Sequence, residues 1–145
     1  MKLPDYITQD EVKRVCKELK IRDWTKLTKA NVLFKEAKLL LALINTERMP
    51  VDPEQFRIGL EVELEHGSRF KDANVTNNHP VITGMIVLAH MKESLVYYKL
   101  LDVAELEGDL MKAIAAGNTK KTRDYYKRLA RAKINLAQAE IARVK

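Results

Sequence analysis

Asp52-Pro53-Glu54-Gln55-Phe56-Arg57-Ile58-Gly59-Leu60-Glu61-Val62-Glu63-Leu64-Glu65-His66-Gly67 is the stretch from which the fold is read. Asp52 suits an N-cap, because its carboxylate can accept the exposed N–H groups of a first helical turn. Pro53 fits the first helical position, where a missing N–H costs nothing. Phe56, Leu60 and Leu64 recur every four residues and so share one helix face. Gly67 reads as the residue just past the helix end. One amphipathic helix from Asp52 to His66 follows, and its apolar stripe needs partners.

Both flanks supply them with more helices. Upstream, Thr8-Gln9-Asp10-Glu11 reads as a capping box, with Thr8 accepting from Glu11 and the Glu11 side chain reaching back. Val12, Val15, Cys16 and Leu19 follow at helical spacing, then a hydrophobic corner at Ile21 and Trp24. A second helix is expected from about Lys29 to Arg48, ended by Pro50, with Lys35, Glu36 and Lys38 on its polar remainder. Downstream, the polar loop Ser68 to His79 is longer than most connections and is a candidate functional loop. Pro80 opens a fourth helix with a stripe of Ile82, Met85, Ile86 and Ala89. A fifth runs from about Leu95 to Ala116 and carries Leu100, Leu101, Ala104 and Leu110. Gly117-Asn118 makes a stop and a restart, and the tight link predicts an antiparallel hairpin. The sixth helix, Thr119 to Val144, repeats Tyr126, Ala130, Ile134, Ala137 and Ile141. No strand pattern is found. The expectation is an all-α protein: a multi-helix body over residues 1–93 and a C-terminal helical hairpin over residues 94–145.

Two longer motifs also stand out. The first is Phe56-Arg57-Ile58-Gly59-Leu60 leading to Glu63-Leu64-Glu65-His66-Gly67; the second is Asn74-Val75-Thr76-Asn77, then Ala89-His90-Met91-Lys92-Glu93 and Tyr97-Tyr98. Together they resemble an uncharacterised family of small helical proteins from bacteria and bacteriophages. The likeness covers about Gln9–Trp24 and Asp52–Leu101. The helix between about Thr28 and Met49, and everything after about Glu107, depart from the family pattern. The resemblance implies a bacterial or phage context and importance for Glu63, Glu65, His66 and His90. It implies no activity.

Charge divides the chain unevenly. Lys and Arg outnumber Asp and Glu by 26 to 20, a net +6. Residues 112–145 hold ten basic and two acidic side chains, or +8, whereas residues 1–111 hold 16 and 18, or −2. On the sixth helix Lys120, Arg123, Lys127 and Arg131 recur at three or four and line one face, with Lys121 and Arg128 nearby. Such a face suits phosphate contacts. It suits equally an acidic protein surface, for instance in a viral assembly. Alanines on the same helix allow close approach of another helix or subunit, so a homo-oligomer is a further reading. The leading expectation is a non-enzymatic structural or interaction protein that uses this hairpin.

The sharpest chemical reading is a metal site. Glu63 and His66 are three apart on one helix, and His90 and Glu93 repeat that spacing on the next. Two carboxylates and two imidazoles from facing helices can hold zinc or iron. A bland alternative has His66 near its helix C-terminus and His90 as a hydrogen-bonded core residue. Other chemistry finds no support. The single cysteine, Cys16, excludes an internal disulfide. Phosphate-binding glycine loops and serine-nucleophile motifs are missing. The longest apolar run, Leu39 to Ile44, falls far short of the roughly 18 residues of a membrane helix, and no leader is expected at Met1-Lys2-Leu3-Pro4-Asp5. A cytoplasmic or virion location follows as the expectation.

Overall fold

Six α-helices succeed one another in a computed structural model that describes residues 6–144: α1 (Gln9–Glu18), α2 (Phe34–Ile44), α3 (Pro53–Arg69), α4 (Pro80–Glu93), α5 (Tyr97–Ala115) and α6 (Thr119–Ile141). The protein is all-α, and no strand occurs among the described residues. The N-terminal pentapeptide read for a leader, and Lys145 of the basic tail, lie outside them. The chain divides into two units, one ending at Glu93 and one beginning at Ser94.

Local signals set most helix ends. The Thr8 hydroxyl accepts from Glu11 N–H at 3.2 Å, as a cap should. The reciprocal half of the box does not form, because Arg14 takes the Glu11 carboxylate with two bonds of 2.8 Å. Asp52 caps α3 through Glu54 N–H, with Pro53 in the first turn. At the other end of the chain, Gly117 adopts φ +63° and Asn118 N–H reaches Ala113 C=O at 3.0 Å. That is a Schellman end, and the Asn118 side chain at once caps α6 through Lys121 N–H. A hairpin results, with α5 and α6 packed along each other.

In the first unit α3 packs against α2 and α4, while α1 packs on α4 and on a 3-10 turn at Trp24–Lys26. Val12, Trp24, Leu40, Phe56, Leu60 and Val87 are fully buried. The stripe foreseen on α3 is therefore in the core, as are Val12, Val15 and Cys16 of the α1 stripe, while Leu19 is half-buried at the helix end.

Elsewhere the structure corrects the expectations. The second helix is shorter, because Asn45 ends it: its side chain accepts from Met49 N–H and donates to Met49 C=O, both at 2.9 Å, and closes a turn before Pro50. Glu36 is not a surface residue. It is 1% exposed and accepts from Arg22 N–H, Arg22 Nε, Arg22 Nη2 and Leu33 N–H at 2.7–3.1 Å. Burial pushes its carboxyl pKa up, but the Arg22 and backbone hydrogen bonds outweigh this and hold it below the usual range. Helix α3 runs through Gly67 to Arg69. On α4 the buried side is Thr83, Gly84, Val87, Leu88 and Met91, while Met85 is 58% exposed. Helix α4 is apolar on nearly every side, so periodicity alone could not choose its inner face. The same holds in the second unit. Its core is Leu106, Leu129 and Ala132 with Val103, Leu110 and Tyr125 packed on it, whereas Leu100, Tyr126, Ile134 and Ile141 are exposed.

Candidate functional site

Two places collect the residues singled out from the sequence. The first lies where α3 ends under the polar loop. Glu63, 14% exposed, sits between two imidazoles: its Oε2 is 3.6 Å from His66 Nδ1 on its own helix, and its Oε1 is 3.6 Å from His90 Nε2 on α4. The long loop makes this meeting possible by returning the chain along α3. Glu93, one turn beyond His90 on α4, is exposed, and the ion pairs of the row run from Glu63 to the two imidazoles. Among the described residues no group of three or more His, Cys, Asp or Glu side chains is arranged to hold a metal ion. The geometry is a carboxylate–imidazole row rather than a coordination shell. Glu65 points elsewhere, 3.6 Å from Arg69.

The loop is tied down over this row. A 3-10 turn at Lys71–Ala73 follows α3, and Asn77 and Asn78 take left-handed φ of 47° and 62°, which asparagine tolerates better than most residues. Asn77 Nδ2 donates to Ile7 C=O, binding the loop to the segment before α1. Asn74 Nδ2 donates to Asn78 Oδ1 at 3.1 Å. Gly67 exists for this closure. A Cβ there would meet Asn78 Oδ1 at 2.6 Å and Asn74 Cγ at 2.7 Å. Its role is close approach, not the helix stop read from the sequence.

Two cavities flank the contact between Gly67 and Asn74. One of about 170 Å³ is lined by Glu63, His66, Asn74, Thr76 and Thr83, among others. The other, about 530 Å³, is lined by the neutral polar side chains of Gln9, Thr25, Thr28, Ser68, Asn77 and Asn78, with Leu27. Thr83 was not singled out from the sequence. It is 2% exposed, and its Oγ1 has no hydrogen-bond partner among the described residues. A buried hydroxyl in that state costs about 1–3 kcal/mol.

His79 was also missed. It is 7% exposed at the start of α4, and its Nδ1 accepts from Ile82 N–H at 3.3 Å. A donor at Nδ1 requires the neutral ring with its proton on Nε2. Burial pushes the pKa down, against a pull upward from the Glu11 carboxylate. No single-residue signal marks it: its burial comes from the tertiary fold, with Glu11 and Arg14 of α1 close enough to act on its charge.

The second place is the outward face of α6. Lys120, Lys121, Arg123, Lys127, Arg128 and Arg131 are all exposed. Among the described residues the cross-hairpin ion pair is Lys133–Glu107 at 2.7 Å, and Arg128 lies over the Tyr125 ring at 5.5 Å. None of the other five cations has a carboxylate partner among the described residues. Between them runs an exposed apolar row: Tyr126 at 66%, Ile134 at 58% and Ile141 at 71%, with Ala130 and Ala137. The row read from the sequence as the helix's apolar stripe is real, but it faces away from α5. Leu129, Ala132 and Tyr125 face inward instead. Helix α6 is thus amphipathic twice over. On α5, Tyr97 and Tyr98 form an edge-to-face pair with centroids 5.2 Å apart, Tyr98 being buried.

A small all-α protein with a loop-covered carboxylate–imidazole row and a cationic, apolar-striped hairpin is the class these features define. The model of a family described as "Protein of unknown function (DUF5661)" matches residues 12–107, and the chain belongs to that family. The matched region includes both imidazoles and the loop, and it leaves all of α6 outside. No curated protein and no solved structure matches the chain. No helix among the described residues is long and apolar enough to cross a membrane.

Proposed function

We propose that the chain is a non-enzymatic interaction protein that engages an acidic protein partner through the outward face of α6, in a bacterial or phage setting. The observation that supports this reading is the exposed row Tyr126, Ile134 and Ile141 bordered by Lys120, Arg123, Lys127 and Arg131. Scattered exposed apolar residues need no explanation, but a contiguous row along one helix does. The cations alone would serve phosphate as well as carboxylate. Ile134 and Ile141 favour protein, since a sugar–phosphate backbone gives isoleucine nothing to bury against. An amphipathic helix bearing leucines on one side and glutamates along its edges matches both parts of the face. Because α6 lies outside the family match, the partner belongs to this chain and not to the family at large.

The test uses the full chain with two probes, an acidic amphipathic helical peptide and a short DNA duplex, read by fluorescence anisotropy. The peptide should bind, and Ile134→Glu should weaken it at least tenfold. Lys127→Glu with Arg131→Glu should weaken it further and flatten its salt dependence. DNA binding that survives Ile134→Glu, with no peptide binding by the parent chain, would overturn the proposal in favour of nucleic acid.

A further inference from the structure

We infer that the 170 Å³ cavity beneath the Asn74–Asn78 loop is a binding site for a small hydroxylated primary amine. Its lining carries one formal charge, the Glu63 carboxylate; His66 adds an imidazole, and the rest is amide, hydroxyl and apolar surface. A negative, largely shielded carboxylate repels anions and attracts an ammonium, and the low exposure of Glu63 lessens screening by solvent. Thr83 is the second, independent sign. Its buried Oγ1 has no partner among the described residues, although native proteins satisfy nearly all such groups. A ligand hydroxyl or ammonium proton is what this oxygen needs. Asn74 and Thr76 add an amide and a hydroxyl at the same wall, and Gly67 lets the Asn74 side chain close against α3. The cavity is small, a few times the roughly 30 Å³ that one water occupies in the liquid, so it fits a molecule of a handful of heavy atoms.

The loop supplies a route. It is held by side-chain hydrogen bonds, Asn77 to Ile7 C=O and Asn74 to Asn78, rather than by helix or sheet. Such contacts open locally at far lower cost than core helices do. The site lies wholly within the family-matched region, and the inference does not depend on what α6 binds.

Ethanolammonium chloride is the probe, titrated into the full chain and followed by two-dimensional amide NMR. Ethylene glycol lacks the charge and acetate reverses it. Saturable shifts at Asn74, Thr76 and Thr83 are expected with ethanolammonium, with Kd of about 1 mM, the affinity appropriate to so few atoms. Ethylene glycol should bind at least tenfold more weakly, and acetate should leave these resonances unmoved. Thr83→Val should lose binding at least tenfold without lowering Tm, since it removes an unsatisfied hydroxyl from an apolar helix. Thr83→Ser should restore binding. Glu63→Gln should abolish it, and if that variant fails to fold, the Thr83 pair decides alone. Absence of saturable shifts, an equal response to ethylene glycol, or unchanged affinity in Thr83→Val would each overturn the inference.

Discussion

The two units use charge in opposite ways. In the first, charged side chains are structural. Glu36 is buried and links the corner at Arg22 to the start of α2 through four hydrogen bonds. Arg57 joins Glu54 to Glu61, and Glu61 accepts from Val32 N–H at 2.9 Å. In the hairpin, charges stay outside, and a thin core of Leu106, Leu129 and Ala132 joins the helices. Charges that order the fold are inward and paired, whereas charges available to a partner are outward and mostly unpaired. Net charge alone, +1 over residues 1–93 against +5 over residues 94–145, could not show this difference.

The largest expected effect sharpens that contrast. Arg22→Ala leaves the Glu36 carboxylate buried without its counter-ion, which is strongly destabilising. Arg22 is itself 37% exposed, so the loss should sit at the low end, about 3 kcal/mol in urea unfolding. The hairpin counterpart, Lys133→Ala, removes an ion pair with both partners about half exposed and should cost under about 0.5 kcal/mol. Equal losses would break the comparison.

Acid should act on the first unit in two stages. His79 has a folded pKa below its ordinary 6.5, so the unfolded chain takes up a proton that the folded chain refuses. Its contribution is present in full above pH 6.5 and is lost as pH falls through the folded value. Glu36, lowered from 4.5, behaves likewise at more acidic pH: its contribution holds above 4.5 and is lost as pH falls through its own depressed value. Tm should therefore decline in two steps below neutrality, and His79→Gln should remove the first step alone. A Tm that rises as pH drops from 7 to 5 would contradict the His79 assignment, and one that rises on further acidification below pH 4.5 would contradict that of Glu36.

A smaller effect compares two helix ends of one design. Helix α1 closes as a Schellman motif, Ile21 N–H to Cys16 C=O at 3.0 Å, with Lys20 at φ 55°. Helix α5 closes the same way on Gly117 at φ 63°. Lys20→Gly should thus stabilise by about 1 kcal/mol, and Gly117→Ala should destabilise by about the same amount. Thermal unfolding of the two variants reads both signs.

Helix number and the capped helix ends were legible in the sequence, because caps are local, whereas the ends of α2 and α3 were not. Thr8, Asp52-Pro53 and Gly117-Asn118 each act within four residues. Helix faces were less legible. Helices α4 and α6 each carry two apolar sides, so Ile82 and Met85 competed with Val87 and Leu88, and Tyr126 and Ile134 competed with Leu129 and Ala132. Which side turned inward depends on the neighbouring helix. Glu36 was hidden for a similar reason: its partner lies 14 residues away. At the candidate site, Glu63, His66 and His90 were visible as spaced residues, and they do meet. Thr83 depends on the loop beside it and His79 on its tertiary surroundings, neither of which is local in sequence, and Gly67 changes meaning for the same reason.

The central claim is that the outward face of α6 binds through its apolar row as well as its charge. The heat-capacity change on binding the acidic amphipathic peptide, measured by titration calorimetry at several temperatures, tests it most directly, because burial of apolar surface makes that change negative. The account predicts a clearly negative value that shrinks toward zero in Ile134→Glu while Tm stays unchanged. A value near zero in the parent chain, or one unaltered by the substitution, would contradict it.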